Sequence, residues 1–375
     1  MCLVREVRQA MAQHLRQYLE AQADRIESVL AAHHAPGRVM GGTVGPRLIR
    51  FCLDPAPFSR FSTIRGLADD LALALRVTSL RIDRGQEGIT VEFPNPDPRP
   101  VSLLGLLPEV TPLPLHTAIL GVTQSGTPLL ARLSSPDVAH VLVSGTTGSG
   151  KSALLRTVAL SLLLAQSPAT LRLLCLDPKG RTFGALAGAP HLLRPPVATV
   201  AEAVEVLTSL LRAMEIRDRR RENAPRIVLL VDELADLIFQ GEDCVVQALT
   251  RLVQRGREAG IHVVAATQRP SSAILTGLMR ANFPLRLVGR VTSAEDARVA
   301  TGRAGTAAHL LEGRGDFLAV GGSGDPIRFQ VAYISDREMQ EQVALLQKGT
   351  GGAWGLEQSL NAPPQISQES SSIRR

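Results

Sequence analysis

Residues 145–152 constrain the fold of this chain more than any other segment, because they read Gly-Thr-Thr-Gly-Ser-Gly-Lys-Ser. This octapeptide fits Gly-x-x-x-x-Gly-Lys-Ser/Thr, the phosphate-binding P-loop. The apolar segment before it, residues 138–144, predicts a buried strand, and residues 152–165 predict a helix. A P-loop requires this order of strand, loop and helix. We therefore expect an α/β fold built around a nucleotide site.

The residues of this motif have separate parts in binding a nucleoside triphosphate. The glycines let the backbone turn tightly beside an anion, and backbone N–H groups at the start of the helix point at the phosphates. Lys151 can reach the β- and γ-phosphates, and the Ser152 hydroxyl can ligate Mg²⁺. We predict ATP and Mg²⁺ as the ligands. The predicted nucleotide-binding residues are Gly145, Thr146, Thr147, Gly148, Ser149, Gly150, Lys151 and Ser152.

A second apolar run, residues 226–231, ends in two adjacent carboxylates, Asp232 and Glu233. A continuous apolar run is typical of a central parallel strand that is covered on both faces. Asp232, at the carboxyl end of this strand, is predicted to hold Mg²⁺ directly or through water. Glu233 is predicted to activate the attacking water as general base. The pair therefore indicates a hydrolytic ATPase.

A third strand, residues 260–267, ends at Gln268. A polar side chain at this position can sense the γ-phosphate, so Gln268 joins Lys151 and Glu233 among the predicted catalytic residues. The alternative is an ordinary strand exit at which Pro270 ends the pairing. Spacing alone leaves both interpretations open.

Composition limits the kind of partner. The 375 residues are 45% hydrophobic and 20% charged, which describes a globular protein that can bury a core. The net charge of +6 suits a polyanion, either nucleic acid or an anionic membrane surface. An aromatic content of 3% argues against a platform that stacks single-stranded bases and favours a reader of the duplex backbone. The sequence shows no signal peptide, no apolar run of membrane-spanning length and no CxxC pair, so we expect a cytoplasmic protein.

The chain divides by pattern into four parts. Residues 1–35 predict one or two amphipathic helices, which either pack on the rest of the chain or bind a protein partner. Residues 36–112 predict a small α+β domain. Residues 113–346 alternate strands with helices, which predicts a mostly parallel sheet with ATP at the carboxyl ends of its strands. Residues 347–375 are rich in Gly, Ser, Gln and Pro and are predicted to be disordered.

Further elements follow from hydrophobic periodicity and turn residues. In the small domain, strands are predicted at 47–53, 80–84 and 88–93 and a helix at 64–76. In the larger domain, strands are predicted at 171–176, 285–291, 317–320 and 327–332 and helices at 200–221 and 244–259. The last two strands are expected to pair antiparallel around a Gly-rich turn at 321–324.

Several segments resemble, in the same order, the motor of the FtsK/SpoIIIE family of double-stranded DNA translocases. They are residues 140–152, 176–179, 188–193, 230–237, 257–262, 266–271 and 276–282. The earlier block resembles the family's small α domain at residues 50–57, 67–75 and 89–96. The resemblance implies a RecA-like P-loop fold and ATP hydrolysis coupled to movement along double-stranded DNA. It also implies a homo-hexameric ring with ATP between subunits and duplex DNA in the channel.

A ring of this kind needs an arginine that acts in trans on the transition-state charge. Arg286 and Arg290, on the strand at 285–291, are the candidates, although Arg290 can equally be a solvated strand residue. The arginine-rich segment 217–221 either contacts DNA or is a solvated helix end, where cations also favour the helix dipole.

The sequence lacks segments resembling the family's membrane-spanning region and its C-terminal winged-helix domain. We therefore expect a small motor of a plasmid, phage or integrative element in place of sequence-directed chromosome segregation. Two other functions stay open. One is a protein-secretion ATPase of the same superfamily, and the other is an ATP-switched adaptor that recruits a DNA-processing partner; the strong base expected at Glu233 argues against a pure switch.

Overall fold

The chain folds into two compact units. The computed structural model describes residues 2–85, 88–268, 277–322 and 324–349. The first unit comprises residues 1–100 with 124–127, and the second comprises 101–123 with 128–375. The sequence had suggested boundaries at residues 35 and 112. The predicted disordered tail falls almost wholly on residues 350–375, outside the described residues.

The first unit is a small α+β structure. Its elements are α1 (Cys2–Ala32), β1 (Gly37–Val44), β2 (Leu48–Pro55), α2 (Phe61–Gly66), α3 (Ala68–Leu75), β3 (Arg81–Gly85) and β4 (Gly88–Pro94). The strands form an antiparallel sheet in the order β1-β2-β4-β3. Ile26 and Leu30 of α1 are fully buried in one core with Ile49 of the sheet and Leu71 of α3. The N-terminal helix therefore belongs to this unit.

Two local features of this unit differ from the sequence expectation. Residues 37–44, which are rich in glycine and were not predicted as a strand, form β1. Their glycines leave room for β2, since a Cβ on Gly42 would lie 2.4 Å from the ring of Phe51, its partner in β2. The helix expected at 64–76 is two short helices that meet at Leu67, whose φ of −89° and ψ of 11° depart from helical values.

The second unit is the larger α/β structure. Its strands are β5 (Val101–Ser102), β6 (Thr117–Thr123), β7 (Pro128–Arg132), β8 (Val141–Ser144), β9 (Leu171–Leu176), β10 (Arg226–Val231), β11 (Ile261–Thr267), β12 (Leu285–Gly289), β13 (Asp316–Val320) and β14 (Ile327–Tyr333). Its helices are α4 (Leu103–Val110), α5 (Lys151–Ala165), α6 (Val200–Arg220), α7 (Leu234–Arg255), α8 (Gly277–Ala281), α9 (Ala294–Thr301) and α10 (Asp336–Gln347). Short 3₁₀ helices span Pro136–Val138, Gly184–Leu186 and Ala308–Leu310.

The strands of this unit form one sheet in the order β7-β6-β14-β13-β12-β8-β11-β10-β9, with β5 paired to β14. The part from β12 to β9 is parallel, and the part from β12 to β7 is antiparallel. The antiparallel β13–β14 pair occurs as expected, but the sequence analysis did not identify β6 and β7. One face of the parallel part packs on α5 and the other on α6 and α7. This is the RecA-like arrangement, with P-loop strand β8 in its centre.

The helix expected at 244–259 begins ten residues earlier, at Leu234, directly after Glu233. Its buried side chains continue from Leu234 and Leu237 to Val245 and Leu249 at helical spacing. Gly241 lies in this stripe, and a Cβ there would lie 2.2 Å from Val245. Gly241 is therefore a packing position inside the helix.

A helix that crosses a membrane must be both long and apolar. Over the described ranges, each helix is too short or too polar to cross a bilayer.

Candidate nucleotide-binding site

The P-loop connects β8 to α5, and neighbouring segments fix its backbone. Thr146 N donates to the carbonyl of Arg290 (2.8 Å), next to β12. The carbonyls of Gly148 and Ser149 accept from Arg314 N (2.9 Å) and Gly315 N (2.7 Å). These contacts turn two P-loop carbonyls toward the start of β13, away from the helix N-terminus where phosphates bind.

Gly150 shows why the motif needs glycine before the lysine. Its φ of 109° lies in the left-handed region, and a Cβ there would lie 2.7 Å from the backbone nitrogen of Gly315. A side chain at this position would strain the backbone and push the loop away from β13. The glycine therefore permits both the turn and the close packing.

Lys151 is the first residue of α5, and only 7% of its surface is exposed. Its Nζ donates to the carbonyls of Gly145 (2.8 Å) and Thr146 (3.0 Å) within the loop. Burial lowers the pKa of the ammonium, and the nearby carboxylates of Glu233 and Asp232 oppose that shift. The cation is thus held over the loop, where phosphate oxygens are alternative acceptors.

Ser152 and Asp232 come together across the sheet. Ser152 Oγ donates to Asp232 Oδ1 at 3.3 Å. Burial raises the pKa of Asp232, while hydroxyl hydrogen bonds from Thr182 and Ser152 oppose the rise. A hydroxyl beside a buried carboxylate is the kind of hard-oxygen donor set that Mg²⁺ takes together with phosphate and water. The residues present fit Mg²⁺, and these two would hold it.

Glu233 is the N-cap of α7 and is only 3% exposed. Its carboxylate accepts from Ala235 N (3.3 Å) and from Gln268 N (3.2 Å). Two backbone donors on different elements therefore orient this carboxylate beside that of Asp232, the predicted metal ligand.

Gln268 follows β11 and connects Glu233 to the P-loop. Its backbone N–H donates to Glu233, and its Oε1 accepts from the hydroxyl of Thr147 at 2.9 Å. The sequence analysis proposed Gln268 as a γ-phosphate sensor without foreseeing either contact. The structure places the side chain between the P-loop and the predicted base, and its catalytic role stays a prediction.

The loop after β9 also reaches the site, which the sequence analysis missed. Lys179 Nζ pairs with Asp236 Oδ2 at 2.9 Å, and the Lys179 pKa is raised by this bond and by the nearby Glu233 and Asp232. The available signal was the Asp177-Pro-Lys-Gly180 turn directly after a buried strand of the parallel sheet.

The two candidate trans arginines have different surroundings. Arg286 is half-buried on β12, donates to the carbonyl of Arg280 (2.9 Å), and has its pKa lowered by burial. Arg290 is exposed and lies beside its own P-loop, where its carbonyl also accepts from the Thr146 hydroxyl at 3.1 Å. The Arg286 guanidinium is thus engaged within its own chain, and that of Arg290 is on the surface. Action in trans stays a prediction for both.

A pocket of about 460 Å³ lies on the β12 side of the P-loop. Its walls are residues 146–149, 290–292, 309 and 312–314. Because β12 and β11 flank β8 on opposite sides, the pocket and the carboxylates of Asp232 and Glu233 lie on opposite sides of the P-loop. A triphosphate that spanned the loop with its γ end at the carboxylates would have open space at its other end.

The RecA-like sheet, the P-loop after β8 and the carboxylate pair after β10, two strands away, define a P-loop ATPase. Comparisons with known proteins narrow this class. A model of the FtsK/SpoIIIE family matches residues 114–220 and 212–272, and a model of the FtsK alpha domain matches residues 1–95. The chain belongs to the FtsK/SpoIIIE family.

Curated relatives agree with this assignment. DNA translocase SftA of Bacillus subtilis (strain 168) is 33% identical over 356 residues, which is 87% of this chain and 37% of that protein. DNA translocase FtsK of Brucella suis biovar 1 is 34% identical over 380 residues, covering 87% of this chain and 44% of that protein. The chain thus spans less than half the length of these relatives.

Solved structures show the same fold at lower identity. The pCW3 conjugation coupling protein TcpA, in a monomer form with ATPγS, superposes with a TM-score of 0.61 at 20% identity, covering 88% of this chain and 99% of that one. The cytoplasmic domain of the type VII secretion ATPase EccC of Thermomonospora curvata has a TM-score of 0.56 at 23% identity, covering 66% of this chain and 34% of that one. These likenesses concern the fold alone.

Proposed function

We propose that this chain hydrolyses ATP and uses the reaction to move along double-stranded DNA. The main support is that Lys151 and the carboxylate pair Asp232 and Glu233, about 80 residues apart in sequence, converge at one end of a parallel sheet. Relatives that are named DNA translocases support DNA as the track. The net charge of +6 and the scarcity of aromatic residues agree with contacts to a phosphate backbone.

The chemistry assigned to the site is an in-line displacement at the γ-phosphate. A water oxygen attacks the phosphorus while Glu233 accepts one of its protons, and the bond to the bridging oxygen of ADP breaks. Lys151 faces the β- and γ-phosphate oxygens, where negative charge accumulates. Bound Mg²⁺ would neutralise charge on the same oxygens. The backbone donors at Ala235 and Gln268 hold Glu233 in the orientation that this proton transfer needs.

We further propose that the working form is a homo-hexameric ring with duplex DNA in its channel. Family membership supports this assembly. An arginine from the neighbouring subunit, Arg286 or Arg290, would stabilise the charge of the transition state. The exposed guanidinium of Arg290 is better placed for this role than the half-buried one of Arg286.

The testing experiment measures ATP hydrolysis by the full chain with no DNA, with linear duplex DNA and with single-stranded DNA. We expect duplex DNA to raise the rate at least about tenfold and single strands to have little effect. Glu233→Gln should lower the rate by about a hundredfold or more, because the variant lacks the general base. Glu258→Gln, at an exposed position, is the matched control and should leave the rate unchanged.

Translocation itself is read from the displacement of a third strand bound to the duplex. Wild-type protein should displace it in an ATP-dependent manner, and Glu233→Gln should not. If duplex DNA leaves the rate of ATP hydrolysis unchanged over a range of salt concentrations, the DNA-motor proposal fails. A secreted-protein substrate would then be tested next.

A further inference from the structure

Residues 312–315, here called the β13 loop, precede β13 and lie directly against the P-loop. Arg314 N donates to the carbonyl of Gly148 (2.9 Å), and Gly315 N donates to that of Ser149 (2.7 Å). Both bonds use main-chain atoms alone. The position of the P-loop backbone therefore depends on the conformation of the β13 loop.

This conformation is one that the chain adopts only under constraint. Three successive residues, Gly313 (φ 79°), Arg314 (φ 50°) and Gly315 (φ 95°), lie in the left-handed region. Glycine enters this region readily, whereas Arg314 does so at a cost in free energy. Contacts from elsewhere in the fold must therefore hold the loop in place.

Asp316, the first residue of β13, closes the loop. Its Oδ2 accepts from the backbone nitrogen of Glu312 at 2.9 Å, and its own N–H donates to the carbonyl of Gly313 at 3.1 Å. Asp316 is only 5% exposed. A carboxylate buried this deeply is costly unless a cation pairs with it.

Arg328, on the neighbouring strand β14, supplies that cation. β13 and β14 pair antiparallel, with Leu318 opposite Arg328, so Arg328 lies diagonally across from Asp316. Its Nε donates to Asp316 Oδ1 (2.9 Å) and its Nη2 donates to Oδ2 (2.8 Å). The two side chains are 12% and 8% exposed. Such a bidentate pair fixes the plane of the carboxylate as well as neutralising its charge.

β14 also holds the loop through two further hydrogen bonds. Gln330 Nε2 donates to the carbonyl of Arg314 (3.1 Å), and Val331 N donates to the carbonyl of Gly315 (2.8 Å). Arg314 and Gly315 are the residues whose N–H groups bind the P-loop. A continuous series of hydrogen bonds therefore runs from β14 through the β13 loop to the P-loop.

We propose that Asp316 and Arg328 are positioning residues for nucleotide binding. By holding the β13 loop, their ion pair keeps the carbonyls of Gly148 and Ser149 turned away from the helix N-terminus, so that N–H groups of the P-loop face the phosphates. The inference deepens the proposed function and rests on its assignment of residues 145–152 to the nucleotide. It depends neither on DNA nor on a ring.

The test measures the binding of a fluorescent ADP analogue, and its displacement by ADP, for wild-type and Asp316→Asn full-length protein. Asparagine keeps an acceptor for the Glu312 N–H and loses the charge that pairs with Arg328. We expect the affinity for ADP to fall about tenfold or more, the scale of a lost charge-assisted hydrogen bond. Because β13 and Glu233 lie on opposite sides of the P-loop, kcat at saturating ATP should stay within about threefold of wild type.

Gln330→Leu perturbs the loop without touching the ion pair, because leucine lacks the amide that donates to Arg314. It should weaken ADP binding by about threefold, and it decides the question if thermal melting shows that Asp316→Asn does not fold. The matched control is Glu92→Gln, which breaks the partly buried Arg50–Glu92 pair of the first unit. This control should lower the melting temperature and leave the affinity for ADP unchanged.

Wild-type affinity for ADP in both Asp316→Asn and Gln330→Leu overturns the positioning role while leaving the P-loop assignment intact. An equal loss of affinity in Glu92→Gln also overturns it, because the effect would then come from general destabilisation. If wild-type protein binds no ADP, the nucleotide-site assignment and this inference fail together. All of these results are independent of the DNA-stimulation assay.

Discussion

At the scale of single residues, Gln268 makes two contacts that one substitution can separate. Its backbone N–H holds Glu233, and its side chain accepts from Thr147. Gln268→Ala keeps the first contact and removes the second. We expect kcat to fall roughly 10- to 100-fold, because a small misplacement at the γ-phosphate is costly, with KM changed by less than about threefold. Steady-state ATPase kinetics check this.

The control for Gln268→Ala is Gln254→Ala, at an exposed position on α7, which should behave as wild type. A rise in KM with unchanged kcat would assign the side chain to nucleotide binding and refute a role at the γ-phosphate.

Alanine substitutions of Arg286 and Arg290 are predicted to change different properties, stability in the first case and activity in the second. Arg286→Ala removes a half-buried hydrogen bond to the Arg280 carbonyl and should lower the free energy of unfolding by about 1–3 kcal/mol. Arg290→Ala removes an exposed side chain and should lower ATPase activity while leaving stability unchanged. Denaturant unfolding and ATPase assays on both variants separate these outcomes.

Mixing subunits decides whether Arg290 acts in trans. If it does, Arg290→Ala and Glu233→Gln proteins, each with lowered activity alone, regain activity when mixed, because some interfaces then hold an intact arginine and an intact glutamate. A residue acting within its own subunit gives no such recovery, since every site then lacks one of the two groups.

The predictable part of the site is the part encoded locally along the chain. The P-loop motif supplies Lys151 and Ser152 together, and the apolar run before Asp232 places that carboxylate at a strand end. The contacts of Thr147 with Gln268 and of Gln268 with Glu233 join different strand ends. They depend on the order of strands in the sheet, which residue spacing does not encode.

At the scale of elements, the amino ends of β8 and β11 contain two buried histidines. Burial and the nearby His262 and Arg257 lower the pKa of His140 to about 3, and burial and Arg226 lower the pKa of His262 to about 4. Val263 N donates to His140 Nδ1 at 3.1 Å, so protonation there would break a bond between strands.

Because both pKa values lie below the ordinary 6.5, the unfolded chain takes up protons before the folded one does. Stability should therefore be constant above pH 6.5 and fall below it by about 1.4 kcal/mol per pH unit for each histidine. Urea unfolding at several values between pH 7 and 5 checks this. His140→Asn should reduce the slope by the share of one histidine, about 1.4 kcal/mol per pH unit, whereas His34→Asn, at an exposed position, should leave it unchanged.

Helices and strands were predictable where the hydrophobic pattern was continuous along the chain. They were not predicted where a glycine needed for close packing interrupts that pattern. Strands β8 to β11 are uniform apolar runs and were identified. The first ten residues of α7 were not predicted; they include Gly241, whose lack of a side chain lets Val245 pack there. β1 was missed for a related reason, since Gly42 leaves space for the Phe51 ring.

At the scale of the whole molecule, a motor that grips the phosphate backbone should bind DNA with little regard for sequence and with a steep dependence on salt. If the assembly contacts six or more phosphates, the affinity for a duplex should fall about 10³-fold or more between roughly 50 and 200 mM salt. Fluorescence anisotropy with two duplexes of equal length and scrambled sequence measures both properties. A strong preference for one sequence, or a shallow salt dependence, contradicts backbone gripping.

Arg156 has a consequence for how nucleotide binding can be detected far from the site. Its guanidinium donates to the carbonyls of Arg181 and Thr182 after β9, and it also pairs with Asp336, the first residue of α10, at 2.7 Å. Helix α5, which begins at the P-loop lysine Lys151, is therefore tied to α10, the last helix of the described residues. A shift of α5 when a triphosphate binds must either move the start of α10 or break this ion pair. A fluorophore on the first turn of α10 is thus a natural reporter, able to register each turnover without touching the catalytic groups.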